Sequence, residues 1–317
     1  MLGFTIDSIT LFLSWEKLTD FDFPKFEKLV NAKTRRGTYD DWKEGYYKTF
    51  RIKFHKNGGI YIMGSISNYD SGYASILHYK NLRSAIDKLG NKLGLELHSA
   101  RLYRIDLALN VKTDNPISQY THRLFTDLSH FKRLEQADGV RFETNKIKIA
   151  IYNKTQELFD KRNKVVDSDI LRIELRILKG VSEVLGIKEI EIQDLYNPLN
   201  YIKLVSIFQK YYQNIKKQTI IKELNDNEKI TPSIFSNILK KNSIENTFGS
   251  EKDAYRQIEQ WDVEGKFKNA NDKSRCKKLI SDLTNNRAIS IPHPLVEEID
   301  QKVKKEFEKE IEMVEVK

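Results

Sequence analysis

One phenol and two carboxylates stand on the polar sides of three strand-like segments, a set of groups that could break and rejoin a phosphodiester. In IKIAIYN, Ile147, Ile149 and Ile151 alternate with Lys148, Ala150 and Tyr152, the period-two pattern of a half-buried strand. Tyr152 is then the nucleophilic hydroxyl of the polar side, with Lys148 on its own face and Lys154 just beyond. In RLYRIDLALN, Tyr103, Ile105, Leu107 and Leu109 take one face and leave Arg104, Asp106, Ala108 and Asn110 on the other. ILRIELRIL repeats the arrangement: Leu171, Ile173, Leu175 and Ile177 face Arg172, Glu174 and Arg176 across the strand.

If the three apolar faces lie under helices, the far side of the sheet presents Asp106, Glu174 and Tyr152 among basic side chains. Two carboxylates on adjacent strands are hard oxygen donors suited to Mg²⁺ or Mn²⁺. Arginines and lysines would track a phosphate backbone. A free tyrosine titrates near pH 10, so as a nucleophile it needs positive charge or metal nearby to stabilise phenolate. Small Ala108 and Ala150 would leave room for a ligand above the sheet. The competing reading is a solvated face with cross-strand ion pairs, each stabilising by a few tenths to about 1 kcal/mol. His55, His78, His98, His122, His130 and His293 read as surface or packing residues, and none forms a His-hydrophobic-His pair. Any metal would be held mainly by carboxylates.

These side chains need a sheet to position them. Strand patterns cover 4–13, 47–54, 60–66, 101–111, 140–143, 147–153 and 170–178, with hairpin signals at Gly58-Gly59 and in ETNK. Helical periodicity occupies 74–94 and, opened by Pro116, 115–131. The alternation ββαβαββαβ predicts an α+β sheet with helices on one face, built from two βαβ-containing halves. From Gly180 onward the pattern turns helical, which divides the chain into 1–180 and 181–317. Within the second part, ITPSIFSNILKKNSI after IIKELNDNEK fits either a helix-turn-helix or, preferably, two helices of a bundle. The Lys and Glu pairs of the charged end read as a solvated face or a frayed helix.

The 317 residues carry 39% hydrophobic side chains, enough for a core, and 54 Lys and Arg against 45 Asp and Glu give a net charge of +9 that favours polyanionic partners. The single cysteine, Cys276, rules out an internal disulfide and a cysteine-rich zinc site, which points to a reducing cytoplasm. No apolar run has the length of a membrane span, and the start MLGFTIDSITLFLSWEK reads as an early strand.

At YRIDLALN, IAIYNKTQEL and LRIELRI, in that order, the sequence resembles rolling-circle replication initiation proteins: the phage and plasmid gene II/X-like group and the related plasmid initiators and relaxases of the Rep_trans type. MGSISNYDSGYASILHY takes the place of that family's Gly-Ser stretch before a helix, and the likeness covers roughly residues 4–190. The resemblance implies two ferredoxin- or RRM-like halves around a DNA-binding concavity. It makes Tyr152 the nicking nucleophile, Asp106 and Glu174 the Mg²⁺ or Mn²⁺ ligands, and the 1–180 part a catalytic nicking domain. Asn110 stands where many relatives have a second acid, which leaves a third ligand open between Asp7 and Glu143.

The expected reaction is a site-specific nick in origin DNA through a covalent 5′-phosphotyrosine, leaving a 3′-hydroxyl primer. Lys154 and Lys148 would lower the tyrosine's pKa and neutralise phosphate, while Arg104, Arg172 and Arg176 would hold the strand or orient the acids. The partners implied are the single-stranded nick site and its flanking duplex, a homodimer, and a host helicase and polymerase. The helical part would read duplex DNA or dimerise. A non-catalytic DNA-binding replication or regulatory protein, and a metal-dependent nuclease that uses water, are the rival readings.

Overall fold

The computed structural model describes residues 2–18, 21–36, 42–55, 58–72, 76–121, 123–163, 168–223, 230–269 and 271–315. In chain order, the first half runs β1 (Gly3–Ser14), α1 (Phe23–Leu29), β2 (Lys33–Arg35), β3 (Trp42–Tyr47), β4 (Phe50–His55), β5 (Gly59–Ser65), α2 (Ile66–Ser71), α3 (Tyr79–Leu93) and β6 (Arg101–Lys112). There follow α4 (Ser118–Thr121), β7 (Phe125–Asp127), β8 (Lys132–Gln136), β9 (Gly139–Glu143), β10 (Ile147–Asn153), α5 (Lys154–Arg162) and β11 (Ile170–Ile177). The remainder is α6 (Val181–Leu185), α7 (Pro198–Gln213), β12 (Lys216–Lys217), β13 (Thr219–Ile221), α8 (Pro232–Phe248), α9 (Glu251–Val263), α10 (Asp272–Thr284), β14 (Ser290–Pro292) and α11 (Pro294–Glu315).

The fold is α+β. Ten strands form one antiparallel sheet in the order β2-β3-β4-β5-β1-β6-β11-β10-β9-β8. On each side of β6 lies one long strand and then a meander: β1 with the four strands β5-β4-β3-β2, and β11 with the three strands β10-β9-β8. Both expected hairpins are present. Gly59, at φ +148°, joins β4 to β5 where a Cβ would fall 2.1 Å from the Leu13 carbonyl oxygen, so no other residue fits without moving β1. In the second hairpin Thr144 N donates to Ile147 O at 2.8 Å.

Helices α3, α7 and α11 pack on one face. The core joins Ile9, Leu11, Ile105, Leu107, Ile149, Ile151, Ile173 and Leu175 from the sheet to Leu82, Ile86 and Leu89 of α3, which ends at Gly94 in a left-handed conformation (φ 67°). The change of character near residue 180 is a change of secondary structure within one core. Phe4 of β1 contacts the rings of Tyr201 and Phe208 from α7 and of Phe307 from α11. The Lys/Glu-rich end is an amphipathic helix: Lys304, Lys305, Glu308 and Lys309 make the expected solvated face, while Val296, Ile299, Val303 and Phe307 are buried, so the helix is docked and not frayed. Each such side chain contributes roughly 1.5–3 kcal/mol of burial free energy.

Three other expectations change. The helix predicted over 115–131 shrinks to α4, because Phe125–Asp127 extend to pair with β12. The strand predicted over 47–54 is two strands turning at Lys48, whose φ is 51°. The segment 220–229, expected as the first helix of a helix-turn-helix or of a bundle, opens as strand, since Thr219–Ile221 is β13, paired with β14; residues 224–229 lie outside the described residues. Instead α8, α9 and α10 make a three-helix unit with its own small core of Ala254, Tyr255, Ile258 and Ile280. At its base Lys241 is buried, donating to Thr219 and Ser290 at 2.8 and 2.9 Å and lying 3.8 Å from the buried Glu251 carboxylate. Among the described residues, no helix is long and apolar enough to cross a membrane.

Candidate functional site

The register of β6, β11 and β10 sets Asp106 opposite Arg176, Ala108 opposite Glu174, Asn110 opposite Arg172, Glu174 opposite Ala150 and Arg172 opposite Tyr152. Directly opposed residues point to the same face, so all of these side chains meet on the side away from the core helices α3, α7 and α11. Tyr152 sits at the last turn of its strand because Asn153 stops it: the Asn153 side chain caps α5 by accepting from Gln156 N at 3.0 Å. Opposite Tyr152 lies Gly139, where a Cβ would stand 2.7 Å from both Cα and Cβ of the tyrosine.

The centre of the cluster is Glu174. Its Oε1 accepts from Tyr152 Oη at 2.7 Å and from Arg172 Nε at 2.6 Å, and its Oε2 accepts from Arg176 Nε at 2.8 Å. Arg172 also reaches Asp7 Oδ1 at 2.9 Å and Asn110 Oδ1 at 3.5 Å. Asp7 is there because β1 has a bulge between Ile6 and Ser8. Beside this group Arg104 clasps Asp106 through two hydrogen bonds of 2.8 and 2.5 Å.

Burial acts to raise Glu174's pKa, but the guanidinium groups of Arg172 and Arg176 outweigh it and hold the carboxylate at about 2. Tyr152 moves the other way: burial, and then the neighbouring Glu174 charge, raise the phenol well above its ordinary value despite Arg172. Asp106 is raised by burial, against the hydrogen bonds from Arg104. The resting cluster is thus a neutral phenol donating to a carboxylate held ionised between two cations. Access is graded. The side chains of Arg172 and Glu174 are 4% and 5% exposed, whereas that of Arg176 is 35% exposed.

The structure brings together Tyr152, Glu174, Arg172 and Arg176, and sets Asp106 with Arg104 one diagonal step away. Lys148 shares the face but pairs with Glu143 at 3.2 Å, and Lys154 pairs with Glu157 at 2.6 Å. Neither is positioned to lower the phenol's pKa in this arrangement. Asp7 joins the cluster through Arg172, and Glu143 sits apart with Lys148 and Arg141. The space above Ala108 and Ala150 is occupied: both alanines are buried. His122 lies outside the described residues; His98 bridges Tyr196 and Asp87, and His293 accepts from Leu295 N.

As donors for a divalent cation, Asp106 and Glu174 do not fit as they stand. Each carboxylate is already taken by guanidinium groups, and no three His, Cys, Asp or Glu side chains among the described residues form a metal-holding group. A cation would have to displace Arg104 and Arg176 first.

Alternation missed one residue. Tyr103, expected in the core, is 39% exposed on the opposite side, in ring contact with Phe12 and Tyr61. Strand β6 is bulged where Thr10 pairs with Arg104 and Leu11 with Leu102, so Tyr103 is the extra residue. No family model and no curated protein matches the sequence.

Proposed function

We propose that the protein is a site-specific DNA strand transferase that opens replication-origin DNA at Tyr152. The observation that carries this reading is the Tyr152–Glu174 hydrogen bond of 2.7 Å set between two arginines. A phosphodiester approaching from the solvent side would exchange Arg176 from Glu174 to its own non-bridging oxygens. Losing one cation makes Glu174 more basic while the phosphorus becomes more electrophilic. The phenol oxygen then bonds to phosphorus as its proton passes to Glu174. The bond from phosphorus to the 3′-oxygen breaks, and that oxygen takes the proton back, leaving a 3′-hydroxyl and a 5′-phosphotyrosine. The bond energy stays in the phosphotyrosine, so the ends can be rejoined after copying. No step in this scheme passes through a metal.

The test is a denaturing gel and mass spectrometry of the protein incubated with labelled single-stranded DNA from its own replicon, with Mg²⁺, with Mn²⁺ and with chelator. A nucleotide on Tyr152, lost in Tyr152→Phe, is expected. An adduct on another residue, or cleavage that survives Tyr152→Phe, overturns the proposal.

The burial of Tyr152, only 8% exposed, favours a second reading, a DNA-binding replication or regulatory protein in which the cluster is structural. Sequence-selective DNA binding with no adduct in any of the three conditions would establish it.

A further inference from the structure

The same sheet face carries a second feature on the arm opposite Tyr152. Phe12, Tyr61 and Tyr103 form a triangle of rings, with centroids 4.7 Å apart for Phe12 and Tyr61, 5.6 Å for Phe12 and Tyr103, and 5.7 Å for Tyr61 and Tyr103. His55 continues the row, 6.5 Å from Tyr61 and stacked on Trp42 at 6.0 Å. The row crosses β6, β1, β5, β4 and β3. Its rings point away from the core helices, because the strand neighbours Leu11, Leu13, Ile60, Ile62 and Phe54 are the ones that fill the core.

An aromatic row costs hydration unless something covers it. The charge around it indicates what. Arg101 lies over the Tyr103 ring at 5.6 Å and Lys53 over the Trp42 ring at 5.3 Å. Arg51 and Arg104 stand on the same face; Glu44 is held by Arg51 and lies 3.9 Å from Lys53, and Asp106 is held by Arg104, so two buried acids face these four cations. Arg101 also reaches Glu189 at 3.8 Å, a pair exposed enough to exchange for phosphate.

We infer that this row is a stacking platform for a single-stranded polynucleotide, with bases lying on Tyr103, Tyr61 and Phe12 and phosphates toward Arg101, Lys53 and Arg51. Every base has a π face, so stacking tolerates any sequence while the cations follow the backbone. A duplex hides those faces and gains only the charge term. From Tyr103 to Ala108, the residue opposite Glu174, β6 rises ~17 Å. The platform would thus hold a strand that continues toward Tyr152, yet its binding does not depend on the chemistry proposed there.

Fluorescence anisotropy of the full chain with ~15-nucleotide oligothymidylate, oligouridylate and a duplex of the same length tests this. Single strands should bind more tightly than the duplex, and the two single-stranded arms distinguish DNA from RNA. Tyr103→Ala should weaken single-strand binding about tenfold, Tyr103→Phe should restore it, and duplex binding should not change. Equal affinity of Tyr103→Ala and the native chain for single strands overturns the inference. So does a loss shared equally with duplex, or a change in self-association alone. Photo-crosslinking of a bromodeoxyuridine oligonucleotide to the native chain gives a check without substitution: crosslinks confined to residues outside β1, β3, β4, β5 and β6 would also overturn it. Adduct formation at Tyr152 is scored separately, so either reading can fail alone.

Discussion

Two buried glutamates meet opposite fates in this molecule. Glu174, on the sheet, has two arginines and a phenol on its oxygens and is held ionised. Glu251, at the base of the three-helix unit, has Lys241 at 3.8 Å and a bond from Thr219 at 3.1 Å; burial pushes its carboxyl up to about 7, and those partners do not offset it. Both have left water. What separates them is the number and fit of the donors, since a guanidinium meets a carboxylate along two bonds and an ammonium does so as a point charge.

The largest effect that would break the comparison is at Arg172. Arg172→Ala leaves Glu174 and Asp7 without their shared cation and should cost ~3–5 kcal/mol, read from the denaturant midpoint. Lys241→Met, by contrast, removes the partner of a carboxyl that can take up a proton, and should cost clearly less. Equal losses would show that donor count is not what matters.

The two acids should also give stability opposite slopes with pH. Glu251's folded value of about 7 lies above its ordinary 4.5, so between those values the native state holds a proton that the unfolded chain has released. Its contribution is full below about pH 4.5 and is lost as pH rises through 7, a fall of ~3 kcal/mol. Glu310, raised to about 7 by burial beside Tyr201, acts in the same direction. Glu174's contribution is present above about pH 4.5 and disappears as pH falls toward 2. Thermal unfolding from pH 5 to 8 should show the first slope, and Glu251→Gln should flatten it. An unchanged slope in that variant would assign the titration elsewhere. The smallest effect belongs to Lys154→Ala, whose pair with Glu157 on one helix turn should be worth less than ~0.5 kcal/mol.

The sheet was legible because one of its faces is buried: Ile147, Ile149 and Ile151, like Ile173 and Leu175, betray their strands by alternation alone. The edge strands β2 and β8, with β3 and the short β7, lack that pattern, and the expected helix over 115–131 gave way to tertiary pairing. The acids, arginines and tyrosine were readable as sharing a face, since register keeps period two across β6, β11 and β10. Their bonding was not, because the sequence does not say which cation closes on which acid. Nor could it show the two bulges. One turns Asp7 onto Arg172, and the other takes Tyr103 out of the core and places it with Phe12 and Tyr61.

The contact between Phe4 and Phe307 has a kinetic consequence. It closes a chain segment of 303 residues (307 − 4), so the first strand emerges from the ribosome long before the helix that completes its cover. Until α11 arrives, an apolar sheet surface around Phe4 and Phe208 waits open to other chains, which makes nascent protein the form most prone to aggregate and most in need of a chaperone.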